Sequence, residues 1–101
     1  MFIKIDISSH EFKNEIILNG NNFYVNGVQK NLDVGNFASK LFCIISSWES
    51  NMIGVRTTND YKYQIDIKNN GEEAKIIGIN KFPPNYNDFI KLLSEAGVWK
   101  V

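Results

Sequence analysis

The sequence predicts an α+β domain: an antiparallel sheet of about six strands with two helices packed on one face. Three observations carry this. Apolar and polar residues alternate in several short runs, as in strands with one buried face. Asn19-Gly20, Asn26-Gly27 and Asn70-Gly71 punctuate those runs, and Asn-Gly suits the positive φ angles of a tight hairpin turn. Two longer stretches instead repeat their apolar residues at three- and four-residue spacing, which is helical.

Phe2 to Ser8 sets Ile3, Ile5 and Ile7 on one face and Lys4 and Asp6 on the other. Glu11 to Leu18 alternates again, with Phe12, Ile16 and Leu18 on the apolar side. Phe23-Tyr24-Val25 resumes a strand, and Asn26-Gly27 is either a second turn or a bulge within it. Asp33 is placed to cap a helix over 34–48. Its apolar stripe is Val34, Phe37, Ala38, Leu41, Phe42, Ile45 and Trp48. Met52 to Thr57 reads as a strand and Thr58-Asn59-Asp60 as a turn. From Tyr61 to Lys68 the alternation is cleanest: Tyr61, Tyr63, Ile65 and Ile67 against Lys62, Gln64, Asp66 and Lys68. After Asn70-Gly71, Ala74 to Ile79 makes the next strand. Pro83-Pro84 then ends the sheet, because proline brings no N–H to a ladder. Asn85 is placed to cap a second helix over 86–96, with Asp88 three residues on. Phe89, Ile90, Leu92, Leu93 and Ala96 face inward, and Gly97 supplies the stop.

The order is therefore two strand–strand–strand–helix units, residues 1–50 and 51–101, within one domain. Sliding the sequence along itself until Met1 lies on Met52 also places Asn19-Gly20 on Asn70-Gly71 and Gly27 on Gly78. The same shift places Lys40-Leu41 on Lys91-Leu92 and Trp48 on Trp99. The matches fall at turns and helix faces, where structure constrains residue type. Internal duplication and a merely repeated architecture both account for them. With the helices on the Ile, Phe and Tyr face, the opposite face carries Lys4, Asp6, Lys13, Glu15, Lys62, Gln64, Asp66 and Lys68. An antiparallel sheet can leave such a face in water or offer it to a partner.

Composition narrows the function. Eleven basic and eleven acidic residues give a formal net charge of zero, whereas a general nucleic-acid binder needs a basic surplus and a membrane-surface protein a polybasic patch. One cysteine, Cys43, excludes an internal disulfide. No signal peptide or membrane-length apolar run is visible, so the expectation is a cytoplasmic protein.

Catalytic and cofactor sets are not recognisable. His10 follows Ser8-Ser9, but neighbours on an extended segment point to opposite faces and no acid is placed to orient the ring. It reads as a solvated turn histidine. Cys43, mid-helix between Phe42 and Ile44, reads as a packing residue, because a reactive thiolate needs a cationic or helix N-terminal setting. One His and one Cys make no zinc cluster, and no phosphate-loop pattern is present. Trp48, Trp99, Tyr86 and the lone Arg56 are of the types enriched at interface hot spots. For the tryptophans, closing the end of a small core is the simpler role.

The stretch from Tyr61 to Leu93 carries a resemblance. It runs Y-K-Y-Q-I-D-I, a glycine turn, then I-I-G-I-N-K-F-P-P-N-Y-N-D-F-I-K-L-L. This strand, turn, strand, proline break and short closing helix resembles small immunity proteins of bacterial polymorphic toxin systems. The resemblance implies a protein that binds and blocks one cognate toxin domain, and it brings no diagnostic residue. The expectation is a non-enzymatic binding protein without cofactor or metal, with a protein partner rather than nucleic acid or membrane. Toxin clefts that bind nucleic acid are basic, so an inhibitor would present acids. Asp60, Glu72 and Glu73 at the turns and Asp66 on the open sheet face are the candidates. A homo-oligomeric assembly module acting through the sheet face or edge is the alternative, followed by an enzyme or small-ligand binder with a hidden cleft.

Overall fold

The computed structural model describes residues 1–98; Trp99 and its match to Trp48 lie outside them. Seven strands form one mixed sheet with two helices on one face. The strands are β1 (Phe2–Ser8), β2 (Lys13–Asn19), β3 (Asn22–Val25), β4 (Val28–Lys30), β5 (Asn51–Ile53), β6 (Lys62–Asn69) and β7 (Glu72–Ile79); the helices are α1 (Val34–Ile45) and α2 (Tyr86–Glu95). Across the sheet the order is β4-β3-β2-β1-β6-β7-β5. All pairs are antiparallel except β5 with β7, which run parallel.

The expected six antiparallel strands in two equal units are corrected in two places. Asn26-Gly27 is a turn, with φ of 51° and 80° between the paired residues Val25 and Val28, and the strand after it, β4, gives the first unit four strands. The expected strand over Met52 to Thr57 shrinks to Asn51–Ile53. At Gly54 the chain passes so close to Asn80 that a Cβ would lie 2.4 Å from the Asn80 carbonyl oxygen, and it then leaves the ladder. The matched Asn-Gly pairs also differ. Asn70 and Gly71 both occupy the turn, between paired Asn69 and Glu72. Asn19 instead ends β2, paired with Asn22, and the turn is Gly20-Asn21.

Alternation is obeyed on the core side. Ile3, Ile5, Ile7, Ile16, Leu18, Phe23, Tyr63 and Ile65 are buried there with Val34, Phe37, Ala38, Leu41 and Ile45 of α1. Tyr86, Phe89, Leu92 and Leu93 of α2 complete the same cluster. Phe42 is 37% exposed and Cys43 is exposed, both against expectation: the sheet takes only a narrow stripe of α1, and these two lie past its rim. Asp33 caps α1 as expected, its Oδ1 accepting from the Asn36 N–H at 3.0 Å. Asn85 does not cap α2 with its side chain. Its Oδ1 instead accepts from Trp48 Nε1 at 2.6 Å, and its Nδ2 donates to the Ile44 carbonyl at 2.8 Å. It thereby ties the end of α1 to the start of α2. The C-terminal stop is as read: Val98 N–H bonds the Leu93 carbonyl and Gly97 N–H the Ser94 carbonyl, the paired bonds of a Schellman motif.

Tyr63 organises the aromatic end of the core. Its hydroxyl donates to the Lys81 carbonyl at 2.7 Å, and its ring meets Trp48, Phe82 and Tyr86. The ring lies over Gly78, where a Cβ would fall 1.8 Å from Tyr63 Cζ. Gly78→Ala should therefore destabilise by about 1–3 kcal/mol through overpacking. Leu41→Ala, at a fully buried position, should cost about 2–5 kcal/mol. Urea midpoints read both, and an unchanged midpoint for Gly78→Ala would show that Tyr63 moves aside freely.

Candidate partner-binding face of the sheet

The face away from the helices is built by the same alternation. Because β1 lies between β2 and β6, residues distant in sequence become direct neighbours on it. One row runs Glu15, Asp6, Gln64, Ile77; the next runs Tyr24, Ile17, Lys4, Asp66, Lys75; a third runs Asn19, Phe2, Lys68, Glu73. Side chains directly opposite in an antiparallel pair interact. Lys4 Nζ lies 3.6 Å from Glu15 and 3.9 Å from Asp6, and Asp66 stands opposite it across the β1–β6 pair. Asp66 accepts from Gln64 Nε2 at 3.0 Å and pairs with Lys75 at 3.7 Å. Lys68 pairs with Glu73 at 3.8 Å.

The centre of this face therefore gathers three carboxylates and two ammonium groups, Lys4 between Asp6 and Glu15 and Lys75 beside Asp66. Asp6 registers the crowding. Partial burial pushes its carboxyl above the usual range, Lys4 draws it back, and Glu15 and Asp66 push it up again. Phe2, Ile17, Tyr24 and Ile77, all half-buried, lie among the charges, so the face is ion-paired but not uniformly polar.

Of the four acids singled out from the sequence, Asp66 is at the centre of this face and Glu73 near its margin. Glu72 is exposed at the start of β7, and alternation directs it to the helix side. Asp60 is not on the face. It is the hub of the loop before β6, accepting from the Thr57 N–H at 2.7 Å, Arg56 Nε at 2.6 Å and Asn80 Nδ2 at 2.7 Å. Asn80 completes the loop, donating to the Val55 carbonyl and accepting from the Tyr61 N–H. Alternation had already placed Asp6 and Glu15 on the open face. What singles them out is the β2-β1-β6 order, which sequence reasoning had not supplied.

The interface-type residues mostly serve the core. Trp48 and Tyr86 are buried among Tyr63 and Phe89. The hydroxyls of Tyr61 and Tyr86 are 2.8 Å apart, and burial pushes Tyr86 far above the usual phenol range. Burial also pushes Tyr63 up to about 12. Beside them a shallow groove of about 530 Å³ runs along Tyr61, Phe82, Pro83, Pro84 and Ile90. His10 is exposed in the turn between β1 and β2. Among the described residues no group of three or more His, Cys, Asp or Glu side chains is placed to hold a metal ion. No helix there is long and apolar enough to cross a membrane.

Comparison with protein-family models, with curated proteins and with solved structures gives no match.

Asp60 yields a pH prediction. Hydrogen bonds from the Thr57 N–H and then Arg56 hold its carboxyl at about 2, against an ordinary 3.8. A depressed carboxyl stabilises the fold above its ordinary value, and that stabilisation is lost as pH falls from about 4 towards 2. Asp60→Asn should lower the denaturant midpoint at neutral pH, and the gap to the parent should close across that window. A gap constant down to pH 2 would show that the charge of Asp60 contributes nothing.

Proposed function

We propose that this protein is a non-enzymatic binding domain, a cytoplasmic inhibitor that captures one protein partner as an immunity protein captures its cognate toxin. The observation that carries the reading is the open sheet face, where Asp6 and Glu15 flank Lys4, and Asp66, in register with Lys4, pairs with Lys75, all beside half-buried apolar side chains. A β-sheet surface is ordered before binding, so little conformational entropy is lost on contact. Carboxylates held at fixed spacing steer and orient a basic cleft. Glu73 lies at the margin of the face, and Glu72 stands exposed beside it at the start of β7, directed to the other side. Asp60 contributes by fixing the loop that carries Arg56 and the 83% exposed Val55.

A second reading, homo-oligomeric assembly, draws on the free half of β7. Among the described residues, strand β5 pairs with Ile77 to Ile79 alone, and the outward backbone groups of Glu73 and Lys75 have no strand neighbour on that side. Solution mass separates the two, a monomer favouring capture of a different protein.

The test is a pull-down from the native host with mass spectrometry, followed by affinities for variants of the recovered partner's complex. Asp6→Lys with Asp66→Lys should weaken binding at least tenfold, and the salt dependence should fall with it. Glu72→Lys with Glu73→Lys should weaken it less, and His10→Ala should leave it unchanged. If the face variants bind normally while His10→Ala abolishes a measurable turnover, the protein is an enzyme and this reading is wrong.

A further inference from the structure

The three Asn-Gly pairs share a latent reaction that the fold exposes unequally. A glycine N–H, unhindered by a Cβ, can attack the side-chain amide of the preceding asparagine. The nitrogen gives its proton to solvent base, an N–Cγ bond forms, the Cγ–Nδ2 bond breaks and ammonia leaves. Water then opens the cyclic imide at either carbonyl, giving aspartate or isoaspartate. Water enters, ammonia departs, no electrons are transferred, and a neutral amide becomes a carboxylate.

Two of the pairs are restrained. Asn19 is in the β2 ladder, opposite Phe2 and Asn22, and the attacking nitrogen of Gly20 donates to the Met1 carbonyl at 3.1 Å. Asn26 has its amide clamped, Oδ1 accepting from the Glu15 N–H at 2.7 Å and Nδ2 donating to Asn14 Oδ1 at 3.0 Å. Swinging Cγ onto the next nitrogen would break both bonds. Asn70 is different. It is exposed at the tip of the β6–β7 hairpin. Among the described residues its side chain has no hydrogen-bond partner, and the Gly71 N–H bonds no backbone carbonyl. Opening this tip requires only local fraying of the exposed Asn69–Glu72 end of the ladder.

We infer that Asn70 is the deamidation site of this protein, converted by water ahead of Asn19 and Asn26. The conversion adds a carboxylate next to Glu72-Glu73 in a chain whose formal net charge is zero. The isoaspartate product also lengthens the backbone inside a two-residue turn, which loosens the register of β6 on β7. The inference is independent of the partner and stands if the binding reading fails.

The experiment incubates the purified full chain at mildly alkaline pH, samples it over time, and resolves acidic species by ion exchange and conversion at each asparagine by peptide mapping with mass spectrometry. Asn70 should convert several-fold faster than Asn26 or Asn19, and faster as pH rises. In urea the three rates should converge, because only folding separates them. Asn70→Gly, which tolerates the positive φ, should remove the main acidic species. Conversion of Asn26 or Asn19 as fast as Asn70 in the folded chain would overturn the inference. So would an acidic species that persists in Asn70→Gly, or a folded Asn70 that stays intact while the unfolded chain converts.

Discussion

Strand β1 is hydrogen-bonded on both sides, pairing Phe2 to Ser8 with Asn19 to Lys13 of β2 and with Lys68 to Lys62 of β6. That double pairing is the constraint on which the rest of the sheet depends. Ile3, Ile5 and Ile7 are fully buried beneath the helices, and the period of two fixes their register: a one-residue slip would turn all three outward and bring Lys4 and Asp6 into the core. Because both neighbours are antiparallel to β1, their open-face residues are fixed too. Glu15 comes to Asp6 from one side and Asp66 to Lys4 from the other.

The same constraint sets the position of β5. In a simple repeat of the first unit, β5 would flank β6 as β1 flanks β2. That place is taken by β1 itself, so β5 pairs instead with the outer side of β7 and runs parallel to it. The chain must then cross from the β4 edge to the opposite edge, and α1 carries it. Twelve helical residues span about 18 Å, and the flanking segments 31–33 and 46–50 cover the remainder. A helix lies on the sheet through one stripe of its surface, which is why Leu41 is fully buried while Phe42 and Cys43 are not. Asn85 fastens the far end of this crossing, taking the indole N–H of Trp48 and giving its own amide to Ile44.

What could be read from the sequence was what is local. Alternation at Ile3-Lys4-Ile5-Asp6 and at Tyr63-Gln64-Ile65-Asp66 assigned faces that the structure keeps, and both helices lie close to where their stripes placed them. Pairing between distant strands leaves no mark in a period-two pattern, so the β1–β6 contact, and with it the grouping of Asp6, Glu15 and Asp66, was hidden. Side chains with two possible roles were misread for a related reason. Asn85 occupies a capping position, yet the buried indole of Trp48 offers a donor that must be satisfied inside the core. Asp60 was expected at a turn, presenting its carboxylate to a partner; the folded loop aims the Thr57 N–H, Arg56 and Asn80 at that carboxylate. Asn26-Gly27 matches Asn70-Gly71 in backbone geometry, a truer correspondence than the Asn19-Gly20 suggested by sliding the sequence along itself.

The sheet edges bear on how such a surface would be used. Strands β4 and β5 are three residues each, and the free part of β7 carries Glu72, Glu73 and Lys75. Short and charged edges resist unplanned strand addition. The open face is broad, and its charges are of both signs. Its carboxylates and ammonium groups are already paired with one another at 3.6 to 3.9 Å, and exposed pairs at such distances are weak. Replacing Lys4 or Lys75 as counter-ion by a cation from a partner therefore sacrifices little, while covering Phe2, Ile17 and Tyr24 removes apolar surface from water.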